Sequence, residues 1–500
     1  MFEVRHSDLA ARIGRLQTLH GVVETPAFVP VVHPVRQTVS TQFLKKMGFE
    51  LVITNAYITL RHYGDEARRR GIHDIINYDG AIMTDSGGYQ VLEYGSVKVE
   101  PAMMAQFEND IKSDIPIPLD RPTGYGLEYE KAKEYVAITL KNALESLRVI
   151  NNTRAIWVAP VQGAEHFDLV EYSARELDTM GFEMMALGSP VELMEAYEFA
   201  MLARMIASAK RVIPAKPIHL FGAGHPLTIP LAIALGCDTF DSASYMLYAK
   251  DNRYMTPNGT IRFDELVYLS CQCPVCSSHT VQELHKMEMD MRTIEIAKHN
   301  LYTLKAEVQA VKQAIMDGRL WEYVMQKARA HPKLMEAAQI FKDIEMLEEG
   351  TPLFKEKAIF FYDSIDQHRP EAKRFRRTVT KFQSSNKKKL ILCPEDEIHP
   401  FYSTTSYKDI VKKFPDAQVC SYSPFLGIIP AEISDIFPAS HNVATRSGHR
   451  LEDYPTFIDS LKSFAGKFDK IVILAPDDFM TQAAKAASLN VRLVDDISAL

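Results

Sequence analysis

The sequence predicts an α/β protein whose residues 1–305 form a (β/α)8 TIM barrel, followed by helical and small α/β C-terminal domains. Three observations predict it. Eight short β-rich runs alternate with helical segments over about 240 residues, the size of one such barrel. Several runs end in a polar side chain or a glycine turn, and a barrel gathers the carboxyl ends of its strands at one mouth. No glycine-rich nucleotide fingerprint follows the first run, which disfavours a doubly wound sheet.

The elements follow in order. Residues before Ala27 read as a hairpin able to plug the barrel floor. Strands are expected near Ala27–Val32, Leu51–Ala56, Ala81–Thr84, Ile115–Leu119, Ala155–Val161, Met184–Leu187, Ile218–Phe221 and Thr239–Asp241. Segments such as 128–150 and 191–209 carry helical periodicity. The strand endings are Asn55, Asp85-Ser86-Gly87-Gly88, Asp120, Gln162-Gly163, Gly188-Ser189, Gly222-Ala223-Gly224 and Asp241-Ser242. One polar strand end is merely where a loop begins. Three aspartates and a glutamine drawn to one mouth form a functional pattern. A zinc-binding subdomain is expected at about residues 265–305. A helical stretch runs from Met287 to Leu347, broken by Gly318 and Pro332. Residues 306–385 are then a helical region that ends in a basic linker, since 373–389 hold eight Lys or Arg and no acid. Residues 386–500 form a small α/β domain, with strands near Leu390–Cys393 and Lys470–Leu474.

Composition sets outer limits. Of 500 residues, 46% are hydrophobic and 24% charged, so a large core is available. Apolar runs reach about eight residues, against roughly 20 for a bilayer span. No basic segment followed by an apolar run opens the chain, so the expected location is the cytoplasm, with no membrane partner. The net charge of −7 argues against a surface that grips nucleic acid throughout, while allowing a local basic face.

Three of the six cysteines fall within six residues, as Cys271-x-Cys273-x2-Cys276. Thiolates this close converge on one tetrahedral ion, and His299 can complete a closed Cys3His set. His279 and His285 lie nearby as alternatives; His299 is preferred because a helical run can hold it against the loop. Four protein ligands leave no open position, so one Zn2+ per chain is expected in a structural role. Cys237, Cys393 and Cys420 sit in apolar surroundings and read as reduced core residues.

The carboxylates suggest glycosidic chemistry. One attacks an anomeric carbon while another manages the leaving group's proton. Asp85 stands at the third strand's end and Asp241 at the eighth's. Spacing alone does not decide which is the nucleophile.

Six motifs, in order, carry a resemblance: Thr25-Pro26-Ala27-Phe28-Val29-Pro30-Val31, Thr84-Asp85-Ser86-Gly87-Gly88-Tyr89-Gln90, Ser113-Asp114-Ile115, Val161-Gln162-Gly163, Cys237-Asp238-Thr239-Phe240-Asp241, and the cysteine cluster with His299-Asn300-Leu301. Over residues 1–305 the chain resembles the tRNA-guanine transglycosylases. The resemblance implies an irregular TIM barrel with a zinc subdomain after strand eight. It implies base exchange through a covalent aspartyl-ribose intermediate. Asp241 takes the nucleophile's part and Asp85 that of base binder and general acid/base, although the family's Asp85 motif has also been assigned the nucleophile. Asp120, Gln162, Gly188, Ser86 and the backbone around Ala186 would bind the base, and Tyr89 would stack on it. The target guanine must be flipped from its stack.

The run Gly188-Ser189-Pro190-Val191-Glu192 and the run after Asp241 resemble the archaeal branch. That branch inserts free 7-cyano-7-deazaguanine (preQ0) at guanine fifteen of the tRNA D-arm, toward archaeosine. Homodimers are common in the family. Archaeal relatives usually end in a PUA domain that grips tRNA. No PUA-like segment is found here, so a separate PUA-domain subunit is expected. Lys250, Arg253 and Tyr254 are candidate tRNA contacts close after Asp241, with Arg68-Arg69-Arg70 and the basic linker weaker ones. The rivals are an amidotransferase paralogue, a non-catalytic tRNA-binding subunit and a glycosidase. The first two should lack the aspartate set; the third needs sugar-stacking tryptophans, and only Trp157 and Trp321 are present.

Overall fold

The computed structural model describes residues 2–88, 99–150, 154–382, 387–395 and 398–497. The chain forms two units, one ending at Ile340 and one beginning at Phe341.

The first unit opens with three antiparallel strands: β1 (Phe2–Asp8), β2 (Ala11–Thr18) and β3 (Gly21–Thr25). Eight further strands follow: β4 (Ala27–Pro30), β5 (Leu51–Asn55), β6 (Ala81–Asp85), β7 (Ile115–Ile117), β8 (Val158–Val161), β9 (Met184–Leu187), β10 (Ile218–Leu220) and β11 (Thr239–Ser242). Every strand expected from sequence is there, several shorter by a few residues. All their pairings are parallel, in a five-stranded sheet ordered β4-β11-β10-β9-β8 and a three-stranded sheet ordered β5-β6-β7. A Val31–Ile53 bridge crosses one seam between the sheets. At the other, Ile156 N donates to Asp114 O at 2.9 Å. An antiparallel hairpin, β12 (Arg253–Thr256) and β13 (Gly259–Arg262), comes after β11.

Alternation within the strands explains the core. Leu51 and Ile53, Ala81 and Met83, Ile115 and Ile117, Met184 and Ala186 all turn to one apolar cluster. Leu16 and Val23 of the opening strands complete that cluster, so the hairpin does close one end of it. Two aspartates fasten this cover. Asp114 lies just before β7 and accepts from His20 in the β2–β3 turn and from His73. Asp238 lies just before β11 and accepts from Arg12 at 2.5 and 3.1 Å.

The helices expected from Met287 onward are Met289–Met316, Leu320–Ala328 and Pro332–Gln339, separated near the two breakers. They belong to the first unit. In the second unit β14 (Ile359–Phe361) pairs in parallel with β18 (Asn442–Ala444). A five-stranded sheet is built around β15 (Lys389–Pro394), which pairs in parallel with β16 (Ala417–Ser423) and β19 (Lys470–Leu474). Its edges are β20 (Val491–Val494), parallel to β19, and β17 (Gly427–Pro430), antiparallel to β16. Leu390 and Leu392 face one apolar cluster and Ile391 and Cys393 the other, as a sheet covered on both faces requires.

The basic segment is not a linker through its length. Residues Pro370–Lys381 form a helix that buries Phe375 and Val379. Its arginines are used internally: Arg374 donates to the carbonyls of Glu348, Thr351 and Pro352, and Arg376 to those of Gln367 and Phe425. A charge count alone does not reveal that these guanidiniums satisfy carbonyls of the same unit.

Candidate functional site

The carboxyl ends of the eight parallel strands carry a hydrogen-bonded polar set. Asp85 ends β6. Its Oδ2 accepts from Asn55 Nδ2 at 3.1 Å, and its Oδ1 from Gly87 N at 3.2 Å. Asn55 is also the cap of the next helix, accepting from Ile58 N, so the same side chain is fixed twice. Asp241, on β11, is 8% exposed. Its Oδ1 lies 3.1 Å from His219 Nε2 and accepts from Gly222 N at 3.1 Å. His219, on β10, is fully buried, and its other ring nitrogen is 2.9 Å from Thr239 Oγ1.

Asp120 accepts from Gln162 Nε2 at 2.6 Å. Gln162 is itself held: its Oε1 takes Thr123 N at 3.0 Å, Thr123 Oγ1 at 3.1 Å and Ser189 Oγ at 3.1 Å. Three donors on one atom fix it as the oxygen, so the amide N–H must face Asp120. A side chain on Gly188 would strike that amide, and one on Gly88 would strike the Asp120 carboxylate. Both glycines are required by close approach.

Asp85 feels the charge of Asp241, and Asp120 that of Asp85. Burial pushes the Asp85 pKa up to about 6, and the charge of Asp241 adds to the rise, against hydrogen bonds from Gly87 and Asn55. Burial, then the charge of Asp85, raises Asp120 to about 7. Carboxyls with pKa values near neutrality at strand ends suit proton transfer. The fully buried Glu108 lies behind them, accepting from Thr84 Oγ1 at 2.7 Å. Its pKa is raised too, chiefly by burial.

The structure thus joins Asp85, Asp120, Asp241 and Gln162. Ser86 is buried, and its hydroxyl has no partner among the described residues. Ala186 is fully buried, with its side chain in the apolar cluster two residues before Gly188. Tyr89 lies outside the described residues. Lys250 is exposed at the end of the helix Ser244–Lys250. Arg253 pairs with Asp251 at 2.7 Å. Tyr254 is not open to tRNA: it is 2% exposed, stacks on His299 at 3.7 Å and reaches Cys276 Sγ at 3.2 Å. Two residues absent from the expected set are His219 and Glu108. His219 is signalled in the sequence as the one polar residue in Ile218-His219-Leu220-Phe221; Glu108 sits in a helix and gives no comparable signal.

The second cluster is the metal-type one. Cys271, Cys273, Cys276 and His299 bring their ligand atoms within 4.8 Å of one another. Cys276 comes from the short helix Pro274–Ser278, and His299 from Met289–Met316. His299 Nδ1 is 3.5 Å from Cys273 Sγ and 3.3 Å from Cys276 Sγ. Bond lengths of about 2.0–2.3 Å in a tetrahedron give edges of about 3.5 Å, so the donor set fits a zinc-sized ion. His299 Nε2 lies 2.8 Å from Met255 O, which assigns the proton to Nε2 and leaves Nδ1 for the metal. Asn300 locks the helix to the β12–β13 hairpin, bonding Met255 N and the carbonyls of Tyr245 and Arg253. His285 packs instead on Phe263. The group His20, His73 and Asp114 also converges, but at N···O distances of 2.8 and 3.1 Å that are those of hydrogen bonds.

The chain is similar to known proteins. The profile of the family described as queuine tRNA-ribosyltransferase matches residues 7–333. A tRNA-guanine(15) transglycosylase of Sulfolobus acidocaldarius is 40% identical over 87% of this chain and 87% of its own. One of Aeropyrum pernix is 41% identical over 88% and 86%. One of Methanosarcina barkeri is 39% identical over 95% and 92%. Among the described residues no helix is long and apolar enough to cross a membrane.

Proposed function

We propose that this chain, which belongs to the queuine tRNA-ribosyltransferase (tRNA-guanine transglycosylase) family, exchanges guanine fifteen of tRNA for 7-cyano-7-deazaguanine (preQ0). The cyclic strand order and the two seam contacts support a closed (β/α)8 barrel. The observation that carries the chemistry is the unequal setting of the aspartates at its mouth. Asp241 has one oxygen held by His219 and Gly222, leaving the other to attack C1′ of the guanosine. The C1′–N9 bond breaks and guanine departs with a proton from Asp85, whose raised pKa suits a donor near neutral pH. The incoming 7-deazaguanine gives its N9 proton to Asp85, attacks C1′ and displaces Asp241. Two inversions retain the configuration. Asp120 and Gln162 face the base edge, and the absence of a side chain at Gly88 and Gly188 lets a flat ring approach them.

Cys271, Cys273, Cys276 and His299 would hold one structural zinc. When bound it ties the Cys loop to the helix that carries His299; no ligand position is left for substrate. Lys250 and Arg253 remain candidate phosphate contacts, close after Asp241 in the chain.

The deciding experiment is incorporation of labelled guanine, then labelled preQ0, into unmodified tRNA. Wild type should incorporate both, at position fifteen, and Asp241→Asn should trap no covalent adduct and lose incorporation. Full activity in Asp241→Asn, or no incorporation by wild type, would refute the reading.

A further inference from the structure

The central strands of the second unit begin in lysines. β15 and β19 pair in parallel with Lys389 opposite Lys470, and Arg492 follows on β20, opposite Val472. Like charges placed opposite one another on neighbouring strands are destabilising. The cost is visible at Lys389. Its pKa is held below the ordinary value by desolvation and then by Arg492, Lys470 and Lys413. Its ammonium lies 3.7 Å from the ring centre of Phe414, which supplies some of the compensation a carboxylate would give.

Lys389 and Lys470 border an open groove of about 700 Å³. Lys387, Lys388, Lys389 and Lys470 line it with Pro415, Asp416 and Asp469. Among the described residues Lys388, Lys389 and Lys470 form no ion pair, although two aspartates share the groove. Lys387 reaches Glu432 at 3.6 Å. The whole chain carries a net −7, so a concentration of cations here runs against its overall charge. In open α/β sheets small cofactors bind at the carboxyl ends of strands. This groove is at the amino ends of β15 and β19, and it is open and lined by four lysines. Such a surface fits an extended polyanion.

We propose that the Lys387–Lys389/Lys470 groove binds the sugar–phosphate backbone of the tRNA substrate, giving the second unit a tRNA-holding role of its own. The identity of the RNA rests on the transglycosylase reading above. Lys389 and Lys470 stand on strand ends, so they meet phosphates with little loss of backbone freedom. They read charge and spacing, not bases.

The test is Lys388→Glu/Lys470→Glu in the full chain, with tRNA affinity measured by fluorescence anisotropy at several salt concentrations. Two phosphate contacts should be lost. Affinity should fall about 10-fold or more at low salt, and the slope of log K against log salt should flatten by about 2. The rate at saturating tRNA should be unchanged. The thermal midpoint should hold or rise, because the Lys470→Glu change sets a carboxylate opposite Lys389 in place of a like charge. Wild-type affinity and salt slope in the double variant would overturn the proposal. So would unchanged tRNA affinity with lost binding of polyglutamate, which would assign the groove to an acidic protein. If the wild type exchanged no base yet the variant still lost tRNA affinity, the groove would stand and only the catalytic reading would fall.

Discussion

His219 and Asp241, on neighbouring parallel strands, meet through Nε2 and Oδ1 at 3.1 Å, and the histidine is sealed from solvent. A neutral imidazole has one donor and one acceptor nitrogen. With Nε2–H aimed at the carboxylate, Nδ1 accepts the Thr239 hydroxyl, 2.9 Å away. Gly222 N adds a second donor to the same Oδ1. The arrangement gives Oδ1 two partners and fixes the carboxylate on β11.

His219→Leu should therefore lower the exchange rate while sparing substrate binding. A hydrogen bond to a charged group is worth about 1.5–3 kcal/mol, so kcat should fall about 10–100-fold. KM for tRNA and for the free base should stay within about twofold. His219→Gln keeps an N–H donor and should recover part of the loss. An undiminished kcat in His219→Leu would remove the histidine from the mechanism.

Asp120 makes stability depend on pH in a definite direction. Its folded pKa of about 7 lies above the unfolded value of about 3.9. Between those values the folded chain holds a proton that the unfolded chain has shed. The protonated group's contribution is thus fully present below pH 4 and is lost as pH rises through 7. Asp120→Asn, uncharged throughout, should gain on wild type across that window, by about 1–2 kcal/mol at pH 8 after allowance for its partial exposure. Melting both proteins at pH 5 and pH 8 checks it: a gain that shrinks with rising pH has the wrong sign. Because the charge of Asp85 contributes to the rise at Asp120, Asp85→Asn should move the Asp120 titration to lower pH.

The strand pattern is legible because each strand is a short apolar run closed by a polar or glycine residue, and tertiary pairing leaves that local signal intact. Asp85, Asp120, Gln162 and Asp241 are legible for the same reason: they occupy the closing positions. The motifs do not separate catalysis from support. Asp114 and Asp238 sit within motifs as distinctive as those of Asp85 and Asp241, yet they fasten the hairpin at the opposite strand ends. Only the entry or exit end of a strand distinguishes the two kinds. Tyr254 is misjudged from sequence because proximity to Asp241 along the chain says nothing of burial; its ring packs against the Cys/His cluster. The helix Pro370–Lys381 is hidden because a high charge count masks the spacing of Ala372, Phe375 and Val379.

The metal cluster makes a prediction by ligand choice. Atomic emission should find one zinc per wild-type chain. Cys276→Ala should lose it, since a three-ligand remnant cannot close the site. His279→Ala and His285→Ala should retain it, because neither belongs to the converging set and His285 packs on Phe263. Loss of zinc should expose residues 263–286 to limited proteolysis before the rest of the first unit. Retention of stoichiometric zinc by Cys276→Ala would place the metal elsewhere.

Asp114 has no exposed surface and accepts four hydrogen bonds: His20 N at 3.0 Å, His20 Nδ1 at 2.8 Å, His73 Nε2 at 3.1 Å and Ile82 N at 2.9 Å. Burial works to raise its pKa, but the bonds from His73, Ile82 and His20 outweigh it and hold the carboxyl below its ordinary value. Such a group stabilises the fold above its unfolded pKa of about 3.9, and the contribution disappears as pH falls through the folded one. Whichever way it is turned, Asp114→Asn sets its amide N–H against a backbone N–H, of His20 or of Ile82, that can only donate. It should cost about 2–4 kcal/mol at pH 7, and the gap from wild type should narrow below pH 4 as the wild-type carboxyl protonates. Adding His20→Ala to Asp114→Asn should cost less than the sum of the two single changes, because both remove the same contact. Faster amide exchange over residues 11–25 would locate the loss at the hairpin. Strict additivity, or protection unchanged in that segment, would mean that Asp114 does not hold the cover in place.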